Sequence, residues 1–165
     1  MRRSQTITTP STDRSTARVR VPRASRSEQP PLPSAGRLHE ATCCLDRAEQ
    51  ALCEARAEPH DDRRYVTAHV AALRATAAVL VVRTRPQSMR RQSNAWVLLE
   101  RVAPELAEWA VFFAAGAPKR AAAEAGHVHV VSSRDADDLV RDVETFLGIV
   151  GRLVGLGGSV AGRPR

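Results

Sequence analysis

Three stretches of the chain place apolar residues at alternating intervals of three and four. They are Leu38, Ala41, Leu45, Ala48, Leu52, Ala55; then Trp96, Leu99, Ala103, Leu106, Ala110, Phe113; then Ala136, Leu139, Val143, Phe146, Val150, Leu153. That rhythm keeps step with a 3.6-residue turn, so each set lines one face of an amphipathic helix. A fourth stretch, residues 66–82, is apolar nearly throughout, interrupted only by Thr67, His69, Arg74 and Thr76. It reads as the most buried helix. Hydrophobic residues make up 43% of the 165 and aromatics only 4%, so the core must be built from Ala, Leu and Val. Close packing of such small residues favours helices over sheets.

Punctuation fixes the boundaries. The first helix spans about 36–57 and stops before Pro59; the second opens at Asp61 and Asp62, whose carboxylates suit a helix N-terminus, and runs to about Arg83. Pro86 follows, in a basic loop. Ser93 or Asn94 caps the third helix, and Pro104 kinks it or starts a second segment as its first residue. Gly116 and Pro118 are expected to end that segment, with "KRAAAEAG" as one further short helix and "HVHVV" (127–131) as an extended connection. Ser132 or Ser133 opens the last helix, with Asp135 completing an approximate capping box. The prediction is an all-α antiparallel bundle of four to five helices. Its domain is expected to cover residues 37–156, between a disordered Ser-, Arg- and Pro-rich tail (1–36), whose composition also resembles a transit peptide, and a flexible C-terminal tail (157–165).

The formal net charge of +7 invites a nucleic-acid reading, but its distribution weakens it. Residues 1–36 hold seven Arg against Asp13 and Glu28 (+5), and Arg163 and Arg165 add +2, so residues 37–156 carry 16 basic and 16 acidic groups and sum to zero. No apolar run approaches the roughly 18–20 residues of a membrane span, and no secretory leader is evident. Cys43, Cys44 and Cys53 lie on one helix, pointing in different directions and lacking a CxxC pair. A reduced, cytoplasmic protein without membrane contact is expected.

The stretches "RYVTAHVAALRATAAVL" (64–80), "SNAWVLLERVAPELAEWAVFFAAGAPKRAAAEAG" (93–126) and "DADDLVRDVETFLGIV" (135–150) resemble a small HEPN-domain family of GC-rich Gram-positive bacteria. The resemblance covers about residues 37–154, and its most specific part is the Trp-Pro-Trp-Phe-Phe order in an Ala background. It implies a compact, often dimeric, helical bundle in a superfamily of metal-independent RNases and of non-catalytic RNA- or nucleotide-binding members. The RNases carry an Arg, four to six residues, then a His late in the domain. There, His acts as general acid or base and Arg stabilises phosphate charge.

The last helix contains Arg134 and Arg141 but no His. The spacing occurs instead at Arg64–His69 and at Arg120–His127. Arg64 and His69 stand about 140° apart on a helix, and a partly buried His69 hydrogen-bonded to a neighbour is the expectation. His127 with His129, and His39 with Cys43, lack further ligands nearby, so no metal site and no cofactor is expected. The carboxylates of Asp135, Asp137, Asp138, Asp142 and Glu144 lie among arginines and read as an ion-paired surface. Arg83, Arg85, Arg90 and Arg91 form the single basic cluster inside the domain and the candidate phosphate contact. Trp109 and Phe112 are candidates for a homodimer interface, because the 106–113 segment is apolar nearly all round. The leading function is a non-catalytic HEPN-like module binding RNA, nucleotide or a protein partner of unknown identity. The alternatives are a ribonuclease using Arg64 and His69, and a structural dimerisation protein.

Overall fold

Ala-rich helices pack tightly because a methyl group lets two backbones approach, and one helix here is covered by all the others. The computed structural model describes residues 33–84 and 94–155. Among these residues five α-helices follow in order: α1 (Ala35–Ala57), α2 (Asp61–Arg83), α3 (Ala95–Val102), α4 (Ala107–Glu124) and α5 (Ser133–Leu153). A 3-10 turn, Pro104–Leu106, links α3 to α4. No strand occurs among the described residues. The architecture is the all-α antiparallel bundle predicted, although α1 begins at Ala35, so the expected domain start at residue 37 falls inside its first turn.

α2 packs against each of the other four helices. Ala68, Ala71, Ala72, Ala75 and Ala78 are fully buried on it, as are Val79 and Thr76. Its mean hydropathy of 1.6 over an 18-residue window makes it long and apolar enough to cross a membrane by length and composition, which corrects the expectation that no run approaches a span. Here, 61% of that window is buried inside the bundle, the mark of a core helix. Its exposed carbonyl end is served by α1. Arg37 donates from Nε to the Val81 carbonyl at 2.8 Å and from Nη2 to both the Val81 and Thr84 carbonyls. A cation there also complements the helix dipole.

The stripes lie where the spacing puts them, except that Leu38 is 39% exposed and Leu153 is half-buried. Asn94 accepts the Trp96 amide at 3.0 Å and starts α3. Pro104 opens the 3-10 turn as its first residue, where its missing N–H costs nothing. Ser132 and Asp135 form a full capping box: the Ser132 hydroxyl accepts the Asp135 amide at 3.1 Å, and the Asp135 carboxylate accepts the Ser132 amide at 3.0 Å.

Two expectations fail. α4 does not end at Gly116 or Pro118 but runs through both to Glu124, leaving no separate short helix. Pro118 sits on the exposed side, where solvent can serve the carbonyl it leaves unpaired, and Gly116 is used for packing. Residues 127–131 are not extended either. They form turns with His129 at φ 62°, after Gly126 (φ 79°) closes α4 in the left-handed conformation.

The largest side chains gather around Phe113. Its ring lies 5.2 Å from Trp96, 5.9 Å from Trp109 and 5.1 Å from Phe146, and so ties α3, α4 and α5 together. Phe146 is fully buried. Phe146→Ala should therefore destabilise the fold by about 3–5 kcal/mol in urea unfolding, against about 1 kcal/mol for Ser132→Ala at the cap. Equal losses would show that the ring cluster is not the core.

Candidate functional site

The Tyr65 and His69 side chains sit one turn apart on α2, on the face turned toward α4. With α4 and α5 they enclose a pocket of about 510 Å³, lined among others by Phe112, Gly116, Lys119 and Asp142. That volume is in the range of small-molecule sites. Gly116 makes the pocket possible. A Cβ at this position would stand 2.8 Å from the Tyr65 hydroxyl and 3.6 Å from His69 Nδ1. Only a glycine lets α4 come this close to both rings.

His69 is only 1% exposed. Its ring meets Trp96 edge-on at 5.6 Å and Phe113 edge-on at 6.0 Å. Neither ring nitrogen has a hydrogen-bond partner among the described residues, so the expected hydrogen-bonding neighbour is missing. The aromatic walls supply no acceptor, and the remaining edge of the ring faces Gly116 at the pocket wall. Burial, with the nearby Arg120 charge adding to it, pushes the His69 pKa down to about 4, so the imidazole is neutral at pH 7.

The charges around the mouth are mostly matched. Lys119 Nζ lies 3.1 Å from Asp135, and Asp135 is held well below the ordinary carboxylate range, at about 2, by the Ser132 backbone and hydroxyl and then by Lys119. Lys119 also lies 5.9 Å from the centre of the Tyr65 ring. Burial raises the Tyr65 pKa; Lys119 opposes this and Asp135 adds to it. Arg141 and Arg134 both pair with Asp138. Asp142 alone among these lining carboxylates has no ion-pair partner among the described residues, and burial followed by Asp138 raises its pKa.

Arg64 is not part of this pocket. It pairs with Asp61, donates to the Glu58 carbonyl at 2.9 Å, and holds Nε 3.1 Å from Asp137 without hydrogen-bond alignment. It lines a separate depression with Arg56 and Val140. Arg64 and His69 therefore lie on different sides of α2, as their 140° spacing implies. Arg83 bonds Glu105 at 2.6 Å, while Arg85, Arg90 and Arg91 lie outside the described residues. Trp109 is half-buried, 5.5 Å from Phe146, and Phe112 is 43% exposed on the α4 surface. His127 and His129 are both exposed, and His39 lies 3.8 Å from Cys43 Sγ on an exposed face. No group of three or more potential metal ligands occurs among the described residues.

The acidic run on α5 is ion-paired as expected, with Asp142 the exception. Tyr65, Gly116, Lys119 and Asp142 were not visible as one site in the sequence. The available signal was a glycine in an otherwise Ala-rich helical stretch, which marks a close approach as well as a helix end.

Replacing Gly116 opposes two effects. Alanine gains about 0.5–1 kcal/mol of helix stability, while the clash with the Tyr65 hydroxyl costs about 1–3 kcal/mol. Gly116→Ala should destabilise the native chain but stabilise a Tyr65→Phe background, measured as a double-mutant cycle. Stabilisation in both backgrounds would show that the hydroxyl does not press on α4.

A family model described as SAV_6107-like HEPN matches residues 55–151, a span that contains the whole pocket. No curated protein and no solved structure matches the chain. The match covers more than half of the 165 residues, and the chain belongs to the SAV_6107-like HEPN family.

Proposed function

We propose that this chain is a non-catalytic HEPN module that binds a ligand in the pocket between α2, α4 and α5. The observation that carries the reading is the position of His69: 1% exposed, walled by Trp96 and Phe113, and separated from Arg64. General acid–base catalysis needs a group within hydrogen-bond reach of the reacting hydroxyl, with a pKa near the working pH. A ring held near pKa 4 is a weak base and is almost entirely unprotonated at pH 7, so it serves poorly as general base or general acid. Arg64 is already engaged by two carboxylates and a carbonyl, so it has little capacity left for a phosphate. The pocket, with its unsatisfied ring nitrogens and its glycine-made opening, has instead the features of a binding site.

The direct test is incubation of structured and single-stranded RNA with the full chain in EDTA. No cleavage above a buffer control is expected. Cleavage by the parent that both His69→Ala and Arg64→Ala abolish would make the protein a HEPN ribonuclease.

Self-association is a second part of the proposal, supported by Val111 at 60% and Phe112 at 43% exposure side by side on α4. Exposed apolar neighbours of this kind mark contact surfaces. Light scattering at about 100 μM should give a dimer mass; a monomer would contradict self-association through this surface.

A further inference from the structure

We propose that the pocket between α2, α4 and α5 takes an organic cation, an arylalkylamine whose ring lies against Phe112 and whose ammonium meets Asp142 and the His69 imidazole. The inference rests on the reading of this pocket as a binding site and names the ligand class.

Charge accounting gives the sign of the ligand. Five charged residues line the pocket: Lys119 and Arg141, and the carboxylates of Asp135, Asp138 and Asp142. Lys119 is taken by Asp135 at 3.1 Å, and Arg141 by Asp138. Arg134 also pairs with Asp138 but does not line the pocket, so among the lining groups the charge left over is the single carboxylate of Asp142. A phosphate or carboxylate ligand would need a free cation and would meet this negative group instead. Arg120, whose charge reaches His69, does not line the pocket and lies 3.8 Å from Glu124.

The second observation is independent of the acidic residues. His69 is 1% exposed and lines the pocket with no partner for either nitrogen among the described residues. A buried polar group left in that state carries a desolvation penalty that a ligand hydrogen bond would recover. A neutral imidazole always offers one nitrogen as an acceptor. An ammonium has three donors, enough for Asp142 and for that nitrogen together. The apolar part of the wall is also suited to a cation-bearing ring. Phe112 is partly exposed at the pocket, and Phe113 and Leu139 line it as well. Aromatic faces attract cations and stack on flat rings.

Three indoles of the same body and different charge separate the possibilities: tryptamine (cation), tryptophol (neutral) and indole-3-acetate (anion), with AMP as a phosphate probe. Calorimetric titration of the full chain at pH 7 should show tryptamine binding at least about tenfold tighter than the other three. Asp142→Asn should lower tryptamine affinity by about tenfold and leave tryptophol unchanged. Asp142 is half-buried at the surface, so this isosteric change leaves the fold intact, as circular dichroism would verify. Gly116→Ala, which narrows the pocket, should weaken all indoles together. Tighter binding of indole-3-acetate or AMP, equal binding of all four, tryptamine affinity unaffected by Asp142→Asn, or no binding by any probe at about 1 mM would each overturn the proposal. RNA cleavage in EDTA would instead remove the non-catalytic reading, a result that these titrations do not share.

Discussion

Every packing relation in this bundle depends on how closely its neighbours can approach α2. Ala68, Ala71, Ala72, Ala75 and Ala78 have no measurable exposure, and methyl side chains set the spacing to α1 and α5. A core with so few aromatic rings can be dense only if backbones lie near each other. Bulk is then concentrated at one end. Trp96, Trp109, Phe113 and Phe146 fill the space that the shorter α3 and α4 leave beside α2. Gly116 extends the same small-residue logic to α4, where the facing group is a phenol instead of another methyl.

The imidazole of His69 is the exception carried by that packing. The ring lies among aromatic walls with no partner of its own among the described residues, so burial keeps it neutral. Linkage gives the sign of the consequence. Above pH 6.5 the ring is neutral folded or unfolded and adds nothing. As pH falls from about 6.5 to about 4, the unfolded chain takes up the proton that the folded chain refuses, and stability is lost. Across that window the loss amounts to roughly 3 kcal/mol. Such a residue is a cost unless it does something, and the edge that faces Gly116 at the pocket wall is where it can act. Binding and catalysis make opposite demands on this ring: a neutral buried acceptor suits a ligand, while a general base must exchange protons with its substrate.

Periodicity carried most of the fold. Apolar spacing located α1, α3 and α5, a nearly continuous apolar run located α2, and side-chain oxygens at Asn94 and Ser132 marked two starts. What it could not resolve was α4. Gly116 and Pro118 are strong local stop signals, and tertiary contact with Tyr65 and His69 overrides them. The alternation of 127–131 suggested extension, but an alternating pattern needs a partner strand, and the chain turns there instead. The 140° separation of Arg64 and His69 was readable from helix geometry, and the two side chains do diverge. The pocket itself was not readable. Its members lie on three helices distant in sequence, and Asp142 differs from its acidic neighbours only in lacking an ion-pair partner among the described residues.

The state of one ring decides between a binding site and a nuclease. Nitrogen-15 NMR of the imidazole rings, with His69 assigned through a His69→Gln variant and followed from pH 8 to the acid limit of the fold, measures it directly. The expected result is a neutral ring at pH 7 that takes up a proton only as the pH approaches about 4, with a shift on tryptamine binding. A ring that titrates near 6.5, like an exposed histidine, would contradict the buried neutral site and return His69 to the list of possible general bases.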